Sequence, residues 1–160
     1  MKKLFENWKK YINESMVVSI KNTDDVIDYV RKNSNLNIYL DNPKGTVKKF
    51  GGISPTILPF DYGEWTEIIN PADGDGWDLI IVPSASKHDK NLLPVGYVHY
   101  REDPELWKAK GNKEIPKNIG ANDKIIIAPN ELYTNNDREI IDTFFDELWQ
   151  FEEVFWLNED

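Results

Sequence analysis

Three aspartates stand close together at residues 73 to 78, directly before an apolar run, in the stretch PADGDGWDLIIVP. Asp73, Asp75 and Asp78 can converge on one point if the chain turns at Gly74 and Gly76, because glycine permits tight turns. Such a set suits Mg²⁺, which takes oxygen ligands and is usually held by one or two carboxylates together with substrate phosphates. Asp and Gly also favour solvated turns, so a turn that holds no cation is the alternative interpretation.

The same stretch excludes a calcium-binding EF-hand loop. A loop that begins at Asp73 would need an oxygen ligand at its fifth position, glycine at its sixth and glutamate at its twelfth. Those positions hold Trp77, Asp78 and Ser84, and a strand candidate follows where the second helix should begin.

The composition limits the classes of partner. The chain has 160 residues, enough for one domain with a sizeable core, and a formal net charge of −9. That charge repels a nucleic-acid backbone, so we expect no nucleic-acid partner, and an anionic phosphate substrate would need metal ions between itself and the protein. No stretch approaches the roughly 20 apolar residues of a membrane span, so we expect no membrane partner. The absence of cysteine excludes thiol catalysis and thiolate metal sites, and it fits the cytoplasmic location that we expect.

The elements that must position the aspartates are short strands followed by a helix. Apolar runs closed by turn-forming residues predict strands at MVVSI, LNIYL, LIIVP, VGYVHY and KIIIAP, and His99 in the fourth of these is interpreted as a packing residue. Helical spacing predicts a helix on Leu4 to Ile12, a second helix capped by Thr23, and a last helix over residues 136–151 capped by Asn136. The last helix carries an apolar stripe of Ile140, Ile141, Phe144, Phe145 and Leu148. Short strands with one packing helix predict a small barrel covered by helices.

Six stretches, in the same order, resemble the motifs of one enzyme family. DGDGWDLIIV resembles the signature D-G/S-D-P-x-D that runs into a strand, and PFDYG resembles a Pro-x-Asn/Asp-Tyr-Gly stretch before it. LPVGYVHY, NDKIIIAP, the early LDNPKGTVKKF and the late TFFDEL resemble four further stretches. On these motifs the chain from Ile38 to Phe151 resembles the soluble, family I inorganic pyrophosphatases. The resemblance implies an α+β, mainly β fold over residues 36–160, an OB-like five-stranded barrel with packed helices. Residues 1–35 are expected to form an amino-terminal helical extension packed on that barrel.

The resemblance also implies an activity and the residues that carry it. The activity is Mg²⁺-dependent hydrolysis of inorganic pyrophosphate, a small anionic phosphate substrate, to two phosphates, with Mn²⁺ as an alternative metal. Asp75, which helps to activate the attacking water, and Tyr62 are the implied catalytic residues. The implied metal ligands are Asp73, Asp75, Asp78, Glu102 or Asp103, and Asn122 or Asp123. The implied substrate-binding residues are Tyr62, Lys124 and Lys49, or Lys48 beside it, and Asp41 stands at the family's early glutamate. The family commonly forms dimers or hexamers, so a homo-oligomer is compatible with the resemblance.

The chain departs from the family pattern mainly on the phosphate side. No arginine stands between Lys49 and Tyr62, where the family uses one to bind phosphate. Leu148 and Trp149 occupy the positions of the family's late Tyr and Lys, and Gly76 replaces the signature proline. Two alternatives therefore stay open: a hydrolase of another phosphoanhydride on the same fold, or a catalytically weak or inactive relative that binds metal and phosphate.

Overall fold

The computed structural model describes residues 17–33, 35–48, 55–109, 111, 114–148 and 151–158. The predicted first helix and Lys49 lie outside these residues. The strands are β1 Val18–Ser19, β2 Ile38–Asn42, β3 Val47–Lys48, β4 Thr56–Ile57, β5 Asp61–Ile69, β6 Gly76–Ile81, β7 Leu92–Tyr100, β8 Lys124–Pro129 and β9 Glu152–Trp156. The helices are α1 Thr23–Lys32, α2 Pro104–Ala109 and α3 Asn135–Thr143, with a 3₁₀ turn at Ile119–Asn122 and a π-helical turn at Phe144–Leu148.

Seven of the strands form one mixed sheet. Its order is β1-β5-β6-β8-β7-β9, and β2 also pairs with β5. The pairs β1–β5 and β6–β8 are parallel and the other pairs are antiparallel, while β3 and β4 form a separate two-stranded ribbon. The fold is α+β with mainly β content, as predicted. The sheet has seven strands where five were expected, and the described residues show no closed barrel.

Each face of the sheet carries its own apolar cluster, because successive side chains of a strand point to opposite faces. The α3 face is built by Leu58, Phe60, Ile80, Val82, Val95, Val98, Ile126 and Ala128, which pack with Ile141, Phe144, Phe145 and Trp156. The α1 face is built by Trp65, Ile68, Trp77, Leu79, Ile81, Ile125 and Ile127, which pack with Val26, Ile27 and Val30 of α1. Sequence neighbours in a strand therefore belong to different environments.

The last helix begins earlier than predicted. Thr134, and not Asn136, is its cap: the Thr134 hydroxyl accepts a hydrogen bond from the Asp137 amide at 2.9 Å, and the Asp137 carboxylate accepts one from the Thr134 amide at 3.0 Å. This reciprocal arrangement is a capping box, which satisfies amides that have no partner within the helix. From the predicted stripe, Ile141 and the two phenylalanines are buried, Ile140 is half-buried, and the side chain of Leu148 lies outside the described part.

The first described helix packs on the α1 face. Its buried residues Val26, Ile27 and Val30 lie at helical spacing, as the amphipathic pattern requires. Thr23, predicted as the cap, is instead the first helical residue, and its hydroxyl donates to the Asp123 carboxylate at 2.7 Å. Among the described residues, none of the helices has the length and apolar character needed to span a membrane.

Candidate functional site

Polar side chains continue the α3 face beyond its apolar cluster. Asp78 stands two residues before Ile80, Lys124 two before Ile126, and Tyr100 two after Val98, so the alternation of each strand places them on that face. Tyr62 of β5 and Glu152 of β9 complete the group. We refer to Tyr62, Asp78, Tyr100, Lys124 and Glu152 as the polar cluster.

Three contacts organise the polar cluster. Tyr62 Oη donates a hydrogen bond to Asp78 Oδ2 at 3.1 Å, which joins β5 to β6. Lys124 Nζ donates to both carboxylate oxygens of Glu152, at 2.9 and 3.0 Å, and lies 5.9 Å from the centre of the Tyr100 ring. The side chains of Lys124 and Glu152 are only 6% and 1% exposed, so this ion pair is buried.

Burial dominates the electrostatics of the polar cluster. It raises the pKa of Asp78 above its ordinary value, although the charge of Lys124 and the hydrogen bond from Tyr62 oppose the rise. The charges of Asp41 and Asp73 raise the Asp78 pKa further. Burial, and then the charge of Asp78, hold the pKa of Tyr62 well above its ordinary value. Tyr62 therefore stays a neutral hydrogen-bond donor, and ionised Asp78 favours a nearby cation.

Two further residues implied by the resemblance reach the polar cluster. Lys48 at the end of β3 places its Nζ 5.4 Å from the centre of the Tyr62 ring. Asp41 of β2 contributes its charge to the raised pKa of both Tyr62 and Asp78. The cluster thus collects side chains or charges from β2, β3, β5, β6, β7, β8 and β9.

The other two aspartates of the signature lie in a hydrogen-bonded turn before β6. Asp73 is exposed, and its carboxylate accepts a hydrogen bond from the Asp75 amide at 2.9 Å. Asn70 closes the turn: its amide donates to the Asp75 carbonyl, and its carbonyl accepts from the amides of Asp73 and Gly74. Gly74 has a left-handed backbone conformation, with φ +78°, as a tight turn requires.

The carboxylates of this region could hold Mg²⁺ only together with oxygen atoms from the substrate and from water. Within the described ranges, no group of three or more His, Asp or Glu side chains could by itself hold a metal ion. Mg²⁺ needs only one or two carboxylates when substrate phosphates and water supply the remaining oxygens. Half-buried Asp78, which the charge of Asp73 reaches from the adjoining turn, fits that requirement.

Asp123 lies on the opposite face from its neighbour Lys124. Its Oδ1 is 2.6 Å from His99 Nδ1, and its Oδ2 accepts the hydroxyl hydrogen bond of Thr23. Burial raises the pKa of Asp123, although these two hydrogen bonds oppose the rise. His99 Nε2 lies 3.5 Å from Glu102 Oε2, and these residues line a cavity of about 480 Å³ beside α1. Glu102 and Asp123 are therefore brought together with each other, and not with Asp78.

Asp103 joins neither Asp78 in the polar cluster nor the contact between His99 and Asp123. It is exposed, and its carboxylate accepts a hydrogen bond from the Glu105 amide at 3.0 Å at the start of α2. This is the local bond typical of an aspartate before a helix.

The sequence did not predict the contacts of two residues, one beside Asp123 and one in the polar cluster. His99 does pack edge-on against Phe155, as predicted, but it also binds Asp123, 24 residues away, and no local pattern indicates that pairing. Glu152 was missed although FEEVFW alternates: Glu152 and Trp156 are buried, while Phe155 is exposed. That alternation was the available signal for a buried acid on a strand.

Comparison with known proteins returned no match, whether to protein-family models, to curated proteins or to solved structures.

Proposed function

We propose that this chain hydrolyses inorganic pyrophosphate to two phosphates at the polar cluster, with Mg²⁺ as its metal. The observation that supports this most is the convergence of Tyr62, Asp78 and Lys124, which come from three strands and are the residues that the resemblance assigns to one site. The proposal includes the OB-like barrel and the cytoplasmic location expected from the sequence.

The side chains of the site have separable roles in this proposal. Asp78 and Asp73, whose charge reaches Asp78 from the adjoining turn, would hold Mg²⁺ together with phosphate oxygens and water, and the metal would supply charge neutralisation and an acidified water. Asp75 orients the attacking water and accepts its proton. When Mg²⁺ occupies Asp78, the neutral Tyr62 hydroxyl would turn from that carboxylate to donate to a phosphate oxygen, and Lys48 beside its ring would add positive charge. The water oxygen bonds to one phosphorus as the bridging P–O bond breaks, which yields two phosphates.

The test is phosphate release from pyrophosphate with and without millimolar Mg²⁺, beside a panel of nucleotides. Release from pyrophosphate that requires Mg²⁺ supports the proposal. Release from a nucleotide alone would indicate a hydrolase of another phosphoanhydride. No release from any substrate, together with Mg²⁺ binding, would indicate an inactive relative.

A thermal shift separates a metal site from a solvated turn. Mg²⁺ at a hundredfold excess over its dissociation constant should stabilise the fold by about 2.7 kcal/mol. For a chain of this size that raises Tm by about 5–11 °C. Asp75→Asn should shrink the shift and abolish hydrolysis, and it should leave the metal-free protein at least as stable, because a negative charge leaves a crowded turn.

Asp89→Asn is the matched control for this variant. Asp89 is also an aspartate in an exposed turn, where its carboxylate accepts the Ser86 amide at 2.8 Å, but it is not part of the signature. It should leave both the Mg²⁺ shift and the activity unchanged. A wild-type Tm that does not respond to Mg²⁺ or Mn²⁺ would refute the metal site and the proposed function with it.

A further inference from the structure

The partner of Lys124 is the unexpected feature of the polar cluster. Glu152 binds the ammonium group through both carboxylate oxygens, and the pair is almost completely buried. A carboxylate this close cancels the field that the ammonium would project onto an anion. Lys124 therefore contributes little positive charge to a ligand at the cluster, whereas the resemblance gives it the task of binding phosphate.

The charge of the cluster follows from this pairing. Asp78 and Glu152 supply two carboxylates, and the charges of Asp41 and Asp73 also reach Asp78. Lys124 supplies one ammonium and Lys48, beside the Tyr62 ring, supplies a second, so the negative charges outnumber the positive ones. A free diphosphate carries several negative charges, and it would meet a site that is itself negative. A diphosphate that brings divalent cations presents much less negative charge.

We propose that Glu152 is a specificity-determining residue, which neutralises Lys124 so that the cluster accepts a diphosphate only with its divalent cations and excludes the metal-free anion. This inference rests on the proposed function for the class of ligand. Glu152 acts by cancelling charge and by holding Lys124 in place, and it takes no part in bond breaking.

The chain offers a closely matched pair of variants. Glu152→Gln removes one negative charge while its amide oxygen still accepts a hydrogen bond from Lys124. Glu153→Gln removes the same charge from the next residue, whose side chain points to the other face and binds Arg101. The two variants have equal net charge, so any difference between them reports the position of the charge.

The measurement is the calorimetric binding of imidodiphosphate, a non-hydrolysable diphosphate, in EDTA and again in Mg²⁺. In EDTA, Glu152→Gln should bind at least about tenfold more tightly than Glu153→Gln, because a unit charge within several ångströms is only partly screened at a buried site. Equal affinities, or undetectable binding to both variants, would overturn the inference. In Mg²⁺ the two variants should differ much less.

A second variant covers the case in which Glu152→Gln does not fold. Lys124→Met with Glu152→Met removes both charges of the pair, a replacement that folded proteins often tolerate. It should bind the Mg²⁺ complex of imidodiphosphate about as well as the wild type, because the pair is neutral in both. A loss of more than about tenfold would mean that Lys124 binds phosphate itself, which overturns the inference.

The outcomes also separate this inference from the proposed function. A wild type that hydrolyses pyrophosphate while Glu152→Gln gains no affinity in EDTA refutes the inference alone. A wild type without hydrolysis or Mg²⁺ response, together with a gain in Glu152→Gln, refutes the proposed function and supports the charge-cancelling role of Glu152.

Discussion

Substitutions at Gly76 test how closely β5 approaches the start of β6 after the aspartate turn. Gly76 opens β6 between Asp75 and Asp78, at the position where the resembling family has proline. A Cβ atom there would overlap the carbonyl oxygen of Trp65 and would lie 2.5 Å from Glu64 Oε2. Both contacts belong to β5, the strand paired with β6, so the overlap with the carbonyl can be relieved only by separating the two strands.

The expected cost of Gly76→Ala follows from this geometry. Overpacking usually costs 1–3 kcal/mol, and an overlap with fixed backbone belongs at the upper end, so we expect a loss of about 3 kcal/mol. At this chain length that lowers Tm by about 6–12 °C. Gly76→Pro carries the same Cβ atom and should lose at least as much, although proline stands at this position in the signature that the stretch resembles.

Gly74→Ala is the control, measured by thermal and urea unfolding beside the other two variants. Gly74 is left-handed at φ +78°, and a Cβ atom there would have no neighbour within 4 Å, so alanine should cost only about 1–2 kcal/mol of backbone strain. If Gly76→Ala proves as stable as Gly74→Ala, or if Gly76→Pro stabilises the protein, the close approach of β5 to β6 is refuted.

Two further predictions concern buried carboxylates away from the polar cluster. Burial raises the pKa of Asp137, but hydrogen bonds, the strongest from Ser84, outweigh it and bring that pKa below its ordinary value. Asp137→Asn should therefore cost about 1–3 kcal/mol at pH 7, and the difference from wild type should shrink as pH falls below about 3.8, through the folded-state pKa. Thr23→Val removes the hydroxyl that donates to Asp123 and should cost about 1–2 kcal/mol, with faster amide exchange in α1.

Each of these predictions has its own control. For the first, Asp89→Asn removes an exposed turn carboxylate and should change stability by less than about 1 kcal/mol at any pH. A constant difference between Asp137→Asn and wild type from pH 7 to pH 2 would contradict the linkage argument. For the second, Thr46→Val removes an exposed hydroxyl that donates to Pro43, and an equal effect of both threonine variants would contradict the importance of the Asp123 contact.

The elements that the sequence predicted well are those whose pattern is complete within a few residues. Strands at residues 38–42, 76–81, 92–100 and 124–129 and the buried stripe of α1 all follow from local apolar patterns. The missed central strand, β5, has a different composition: Glu64 and Glu67 are buried within it, and Gly63 is needed because a Cβ atom would overlap the Tyr39 carbonyl oxygen. Buried acids make such a strand look like a polar surface segment.

For the candidate site as well, some of its members could be predicted from the sequence, and others could be found only from the tertiary structure. From the sequence alone, the resemblance of its motifs to one enzyme family predicted that Tyr62, Asp78 and Lys124 belong to one site. Only the tertiary structure decided that Asp123, next to Lys124 in the chain, faces His99 on the other side of the sheet, and that Glu152 neutralises Lys124. The physical reason is that alternation along a strand is local, whereas the partner of each side chain depends on which strands pair and in what register.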